Sequence, residues 1–195
     1  MMEIRLRLRR AKGLAAFGPA RAGLAAVEFA LLAPILVFLF FAVVEGSNAL
    51  SVSRRVSLAV NTLADLASQE TEIAAGQASD LFTGVEQIVA QGDIDARIRL
   101  ISLVLDPDMN KLVVDWSCDD TGGEPYAPGS AYSGLADGAL LDASSSLIVG
   151  EISYAYTPPL TKFLIPSIAF EKKAARWSRR SGRVRFCTSP GVCTN

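Results

Sequence analysis

The apolar residues are not spread evenly along the chain. They gather first in one uninterrupted block, Leu24 to Val44, broken only by Glu28 and Pro34. As a helix rising ~1.5 Å per residue, a block of ~20 residues spans the ~30 Å of a bilayer's hydrocarbon core. Beyond the block the pattern becomes periodic. Ala49, Val52, Val56, Ala59, Leu63 and Leu66 recur at alternating steps of three and four, and no proline or glycine falls between Asn48 and Gln69. That spacing predicts a helix continuing to about Gln69 with a narrow apolar seam. The seam has two readings: the inner face of a helix packed on its own domain, or a surface that meets other helices.

A second helix is predicted from about Ser79 to Ala90, set off from the first by Gly76. Ala78, Leu81, Val85 and Ile88 fall on one face, with Phe82 and Val89 beside them. Alternation then takes over. Residues 96–105 place Arg97 and Arg99 on one side and Ile98, Leu100 and Val104 on the other. Residues 106–110 read as a turn, and Lys111–Cys118 returns as the second arm of a hairpin. Residues 119–146, rich in Gly, Ser, Asp and Pro, form a long loop that Cys118, Tyr126 or Tyr132 would help to order. A third strand is expected over 146–156, a proline-bounded loop over 157–166 and a fourth strand over 167–176. The stretch to Phe186 is a further strand or an extended tail. The expected class is α+β: a long N-terminal transmembrane helix, a short second helix and an antiparallel sheet of about four strands. The expected divisions are 1–23, a basic cytoplasmic leader; 24–44, the membrane helix; 45–91, a helical stalk; and 92–195, the sheet domain carrying loop 119–146.

Charge gives the apolar block a direction. Arg5, Arg7, Arg9, Arg10, Lys12 and Arg21 precede it against a single Glu3, whereas Arg54 and Arg55 alone follow closely. The positive flank stays in the cytoplasm, which places the larger C-terminal part on the far, periplasmic side of a bacterial inner membrane. The whole chain carries a formal charge of −1, so no bulk attraction to nucleic acid is expected, and the basic flank reads as a topology signal. The block exceeds a secretory signal core, and Ala49-Leu50-Ser51 is a poor cleavage site.

Composition narrows the chemistry. The 195 residues include no histidine, which removes Ser-His-Asp and Cys-His nucleophile systems and every histidine-containing metal site. Asp106, Asp108, Asp119 and Asp120 lack the spacing of a calcium loop. Gly122-Gly123 is a turn, and Ser146 with Lys111 or Lys162 lacks a supporting motif. No enzyme activity, cofactor, metal or small-molecule substrate is expected. Of the three cysteines, Cys187 and Cys193 flank a Pro-Gly turn and are the favoured disulfide. Cys118 paired with either of them, or no bridge, are the alternatives. The basic run Lys172, Lys173, Arg176, Arg179, Arg180, Arg183 and Arg185 is either a solvated face or a docking edge for an acidic partner or anionic headgroups.

Glu28 is the outlier. A carboxylate within an apolar span costs roughly 2.5–3.5 kcal/mol on insertion scales and is retained for function, pairs with a partner, or reaches back to the headgroups. Its setting, Arg21-Ala22-Gly23-Leu24-Ala25-Ala26-Val27-Glu28-Phe29, resembles the processing site of type IV prepilins and pseudopilins. That resemblance implies a cut between Gly23 and Leu24 by a membrane-embedded prepilin peptidase. It also implies that Glu28 neutralises the new terminal amine of a neighbouring subunit. Ala25 to Pro34, with Glu45-Gly46 at the far end and Tyr154-Ala155-Tyr156-Thr157-Pro158-Pro159-Leu160 near the C-terminus, resembles the TadE/TadG-like family of the tight-adherence (Tad, Flp pilus) machinery, most closely a TadE-type pseudopilin. The resemblance implies a structural role in pilus assembly beside other Tad proteins, with Pro34 bending the assembling helix. The alternative is a single-span anchored periplasmic protein with a binding or hydrolytic domain.

Overall fold

Helix α1 runs from Arg21 to Ser68 with Pro34 in its interior. In the computed structural model of the chain, residues 21–89, 96–108, 111–135, 145–159, 167–189 and 192–193 are described. The expected leader to residue 20, turn residues 109–110, the middle of the long loop and residues 160–166 of the proline-bounded loop lie outside them. The chain divides into two units at Val44/Glu45. The first is the apolar part of α1. Its large side chains are exposed throughout, from Leu24 at 62% to Val43 at 70%.

In the second unit, α1 is amphipathic. Val52, Val56, Ala59, Val60, Leu63, Ala64 and Ala67 are buried in the core. The seam therefore packs on the protein's own sheet. It is wider than the three-four spacing predicts, and it drifts: Leu66 stays 43% exposed while Ala67 is fully buried. A straight helix turns 3.6 residues per revolution, so a 3.5-residue seam slips off the contact line within a few turns.

Short strand β1 (Glu72–Ala74) leads into α2 (Ala75–Val89), which buries Ala78, Phe82, Val85 and Val89. Gly76 lies inside α2 and does not separate the helices. It is exposed and a Cβ there would meet nothing, so only helix propensity is lost. The main sheet is antiparallel, in the order β3-β2-β4-β5, with β2 Ala96–Asp106, β3 Lys111–Asp119, β4 Leu147–Tyr156 and β5 Ile168–Trp177. The α+β plan of a long helix, a second helix and four antiparallel strands is thus the observed one. β6 (Arg185–Ser189) pairs in parallel with β1 and antiparallel with β7 (Val192–Cys193), forming a second, three-stranded sheet.

The main sheet presents Ile98, Leu100, Trp116, Ile148, Ile152 and Tyr156 to the helices. Each large apolar side chain so buried contributes roughly 1.5–3 kcal/mol. Trp116 stacks on Phe186 with ring centres 5.2 Å apart, and its indole N–H donates to the Val184 carbonyl at 2.7 Å. The buried ring's polar end is therefore satisfied. The opposite face carries a smaller core of Ile101, Leu103, Leu112, Val114, Tyr132 and Val149. The segment around Gly129–Tyr132 covers it and bonds along the edge of β3, with Val114 N–H donating to Ser130 O at 2.9 Å and Tyr132 N–H to Leu112 O at 3.0 Å. Gly129 makes this turn at φ +77°, a conformation that favours glycine.

Candidate functional sites

In the first unit, Gly23 and Leu24 lie within α1. Helix α1 already begins at Arg21, so the Gly23–Leu24 bond is helical rather than extended. Glu28 is exposed and makes no ion pair or side-chain hydrogen bond among the described residues. Pro34 lies one turn and a half further on and withdraws one N–H from the helix ladder. An apolar helix with most of its large side chains more than half exposed is stable against lipid or other apolar helices, not water.

The second unit begins at a buried carboxylate. Glu45 is 5% exposed, and its Oε2 accepts from the Tyr156 hydroxyl at 3.4 Å. Two of the three segments on which the resemblance rests, Glu45-Gly46 and Tyr154–Leu160 (Leu160 itself lying outside the described residues), thus meet here through Glu45 and Tyr156, 111 residues apart. Burial raises the Tyr156 hydroxyl pKa, and the Glu45 charge and hydrogen bond raise it further, so it remains a donor. We expect Tyr156→Phe, which keeps the ring contact with Phe170, to lower the stability of this unit by about 1 kcal/mol. A chemical denaturation midpoint unchanged by the substitution would refute a role for the hydroxyl.

On the sheet face away from the helices, Glu151 is the hub of a polar cluster. Its side chain is 9% exposed. Lys173 Nζ lies 2.8 Å from Oε1 and Arg99 Nη1 3.7 Å from Oε2. The hydroxyls of Tyr132 and Tyr126 donate to it at 2.6 and 3.0 Å. Burial alone would raise the Glu151 pKa. The hydrogen bonds from Lys173, Tyr132 and Tyr126 and the Lys173 charge outweigh it, so the pKa is lowered. Tyr126 and Tyr132 come from the long loop, so this carboxylate also fastens the loop to the sheet. The two tyrosines stand out in the sequence, whereas Glu151 does not; its signal there is a lone carboxylate within the apolar run Leu147–Ile152.

The remaining candidates have structural partners. Asp119 Oδ1 accepts from Gly123 N–H at 2.7 Å and from Thr121 Oγ1 at 2.7 Å, so it organises its own turn. Ser146 is fully buried and its hydroxyl accepts from Val184 N–H at 3.2 Å, which does not suit a nucleophile. Cys187 and Cys193 face each other across β6 and β7 and are joined by a disulfide, while Cys118 is free and buried. Burial pushes the Cys118 thiol up to about 12, with Asp119 adding to the shift, so it is not thiolate near neutral pH. Glu72 lies close to both disulfide sulfurs, but these are bonded to each other, and Glu72 Oε2 pairs with Arg185 Nη2 at 2.9 Å. That arrangement does not suit a cation. Of the basic run, Arg179 pairs with Asp65 at 2.5 Å and Arg176 donates to Asn61 Oδ1 at 2.7 Å. With Arg185, these residues tie β5 and β6 to α1 and β1 rather than forming one continuous free edge.

No curated protein and no solved structure matches the chain. A family model described as TadE-like protein matches residues 23–65. The match takes in Gly23, Leu24, Glu28, Pro34 and Glu45, and ends within the part of α1 that packs on the sheet. Together with the exposed apolar helix, it assigns a membrane-spanning N-terminal segment and a structural, pseudopilin-like role. Residues 23–65 are thus a TadE-like segment of the chain.

Proposed function

We propose that this chain is a pseudopilin-like component of Tad/Flp pilus assembly, processed by a prepilin peptidase between Gly23 and Leu24 and assembled through the helix that follows. The observation that carries the reading is Glu28: an exposed carboxylate without a partner among the described residues, inside an apolar helix of a TadE-like segment. Cleavage would supply the missing partner. It creates an ammonium at Leu24, and the Glu28 carboxylate of an adjoining subunit pairs with it. The pair offsets the cost of holding a charge in hydrocarbon and fixes the axial register of neighbouring helices. Because Gly23 and Leu24 are helical, the helix must open locally for cleavage, which the glycine makes less costly.

In this reading residues 1–23 are a cytoplasmic leader, 24–44 the membrane helix, 45–91 a stalk and 92–195 a sheet domain in the periplasm. The partners are the peptidase and other Tad pilus proteins or pilins. Mass spectrometry of protein extracted from membranes tests the reading. We expect a mature N-terminus at Leu24 that reverts to the unprocessed start when Gly23 is substituted by a bulky residue or the peptidase is deleted. An unprocessed N-terminus in peptidase-positive cells would overturn it.

A further inference from the structure

Adjacent to the Glu151 cluster, the outer face of the sheet holds a cleft of about 430 Å³. Its charged side chains are those of Arg97, Arg99 and Lys173 against Glu151 and Glu171; Lys172, paired with the buried Ile152, turns its side chain to the other face. The strand register sets these groups in two rows: Arg97, Ser153 and Glu171 in one, and Arg99, Glu151 and Lys173 in the next. The negative charge of Glu151 is already engaged by Lys173, Arg99 and two tyrosine hydroxyls. The same contacts immobilise the cations. Arg99 lies over the Tyr126 ring at 5.9 Å from its centre, and Lys173 lies 5.5 Å from that of Tyr132. Arg97 makes no ion pair among the described residues. The cleft is thus positive and partly preorganised, although the whole chain carries a net charge of −1.

We infer that this cleft is a docking site for an extended acidic segment of a protein partner, with carboxylates at alternate positions. Charge complementarity selects the acidic chemistry, and the spacing of the cations selects the extended form. Arg97 and Arg99 stand two residues apart on one strand face, so their attachment points are separated by ~7 Å. An extended peptide spaces its i and i+2 side chains by the same distance. Each arginine can take a carboxylate in a two-bond fork, and Ser153, between Arg97 and Glu171 in the first row, offers a hydroxyl to the peptide. The inference does not rest on processing or on the membrane helix.

The test uses the full chain in neutral detergent micelles and the fluorescent peptide Gly-Glu-Gly-Glu-Gly, followed by anisotropy at low salt. Saturable binding is expected, weakened at least about tenfold by Arg97→Glu. Arg97→Gln, a milder change, should weaken it in the same direction. Arg180→Glu, which reverses an exposed charge outside the cleft, should leave it unchanged. A peptide with the same glutamates side by side should bind more weakly. No saturable binding up to about 1 mM would overturn the proposal. So would equal weakening by Arg180→Glu, which indicates bulk attraction, or full competition by inorganic phosphate at matched ionic strength, which indicates a simple anion site.

Discussion

Glu151→Ala lowers the unfolding free energy of the second unit by about 3 kcal/mol. The alanine side chain removes the acceptor of three donors at once: Lys173 Nζ and the hydroxyls of Tyr126 and Tyr132. A buried ion pair broken from one side costs about 3–5 kcal/mol, because the surviving charge loses its partner. Lys173 is 40% exposed and regains some water, which places the expected value at the low end. For a unit of this size the change corresponds to a melting temperature lower by about 6–12 °C. Near-UV circular dichroism, sensitive to Tyr126 and Tyr132, should record it. The pH dependence follows from the direction of the shift. Glu151 has a lowered pKa in the folded unit, so its contribution is complete above the ordinary glutamate pKa of about 4.3. It fades as pH falls through the lower, folded value. The stability gap between wild type and Glu151→Gln should therefore narrow on acidification below about pH 4. A gap that stays constant down to pH 2.5 would show that the charge of Glu151 is not what holds the cluster.

Gly150→Val should be about as damaging for a different reason. Gly150 sits on β4 where α1 crosses the sheet. A Cβ there would lie 3.2 Å from the Val60 carbonyl oxygen and 3.4 Å from Leu63 Cδ2. Alanine requires the helix to give by a few tenths of an ångström and gains strand propensity over glycine, so it should cost no more than about 1 kcal/mol. Valine adds two more carbons and must lift α1 from the sheet, loosening Val56, Val60 and Leu63 together. A cost of about 3 kcal/mol is expected, at the upper end for overpacking. Because the nearest atom belongs to the backbone, trimming Val60 to alanine should not rescue Gly150→Val. Recovery of the wild-type denaturation midpoint in that double variant would show that side-chain crowding alone was responsible.

What the sequence revealed and what it hid divide by range. The apolar block, the helix to Ser68 and strands β2 to β5 came from periodicity, because each buries a face whose pattern lies within a few neighbouring residues. Leu66 was misplaced because a seam counted in steps of three and four ignores the slow rotation of a straight helix. β1 and its partner β6 were hidden because a three-residue strand has almost no pattern of its own. Ile73 is fully buried only because Phe186 and its neighbours arrive from far along the chain. The basic run looked uniform for the same reason: Asp65 and Glu72, which bind two of its arginines, are distant in sequence. In the candidate sites, Gly23, Glu28 and Pro34 were legible as a local motif. Glu151 was visible only as an oddity, since its meaning depends on Tyr126, Tyr132 and Lys173 converging on it.

The parallel pairing of β1 with β6 has a consequence for the order of events during synthesis. The ribosome releases β1 immediately after α1, but β6 more than a hundred residues later. Until then Ile73 and the apolar face of α1 have only part of their final covering. The sheet strands that Val56 and Leu63 pack on are themselves completed by β4 and β5, late in the chain. Contacts this distant in sequence make closure slow. The nascent protein therefore passes through a period in which its long helix is finished and its inner face is bare. In that interval the helix face is open to chaperones or to wrong partners, and arrival of the segment from Val184 to Cys187 ends it.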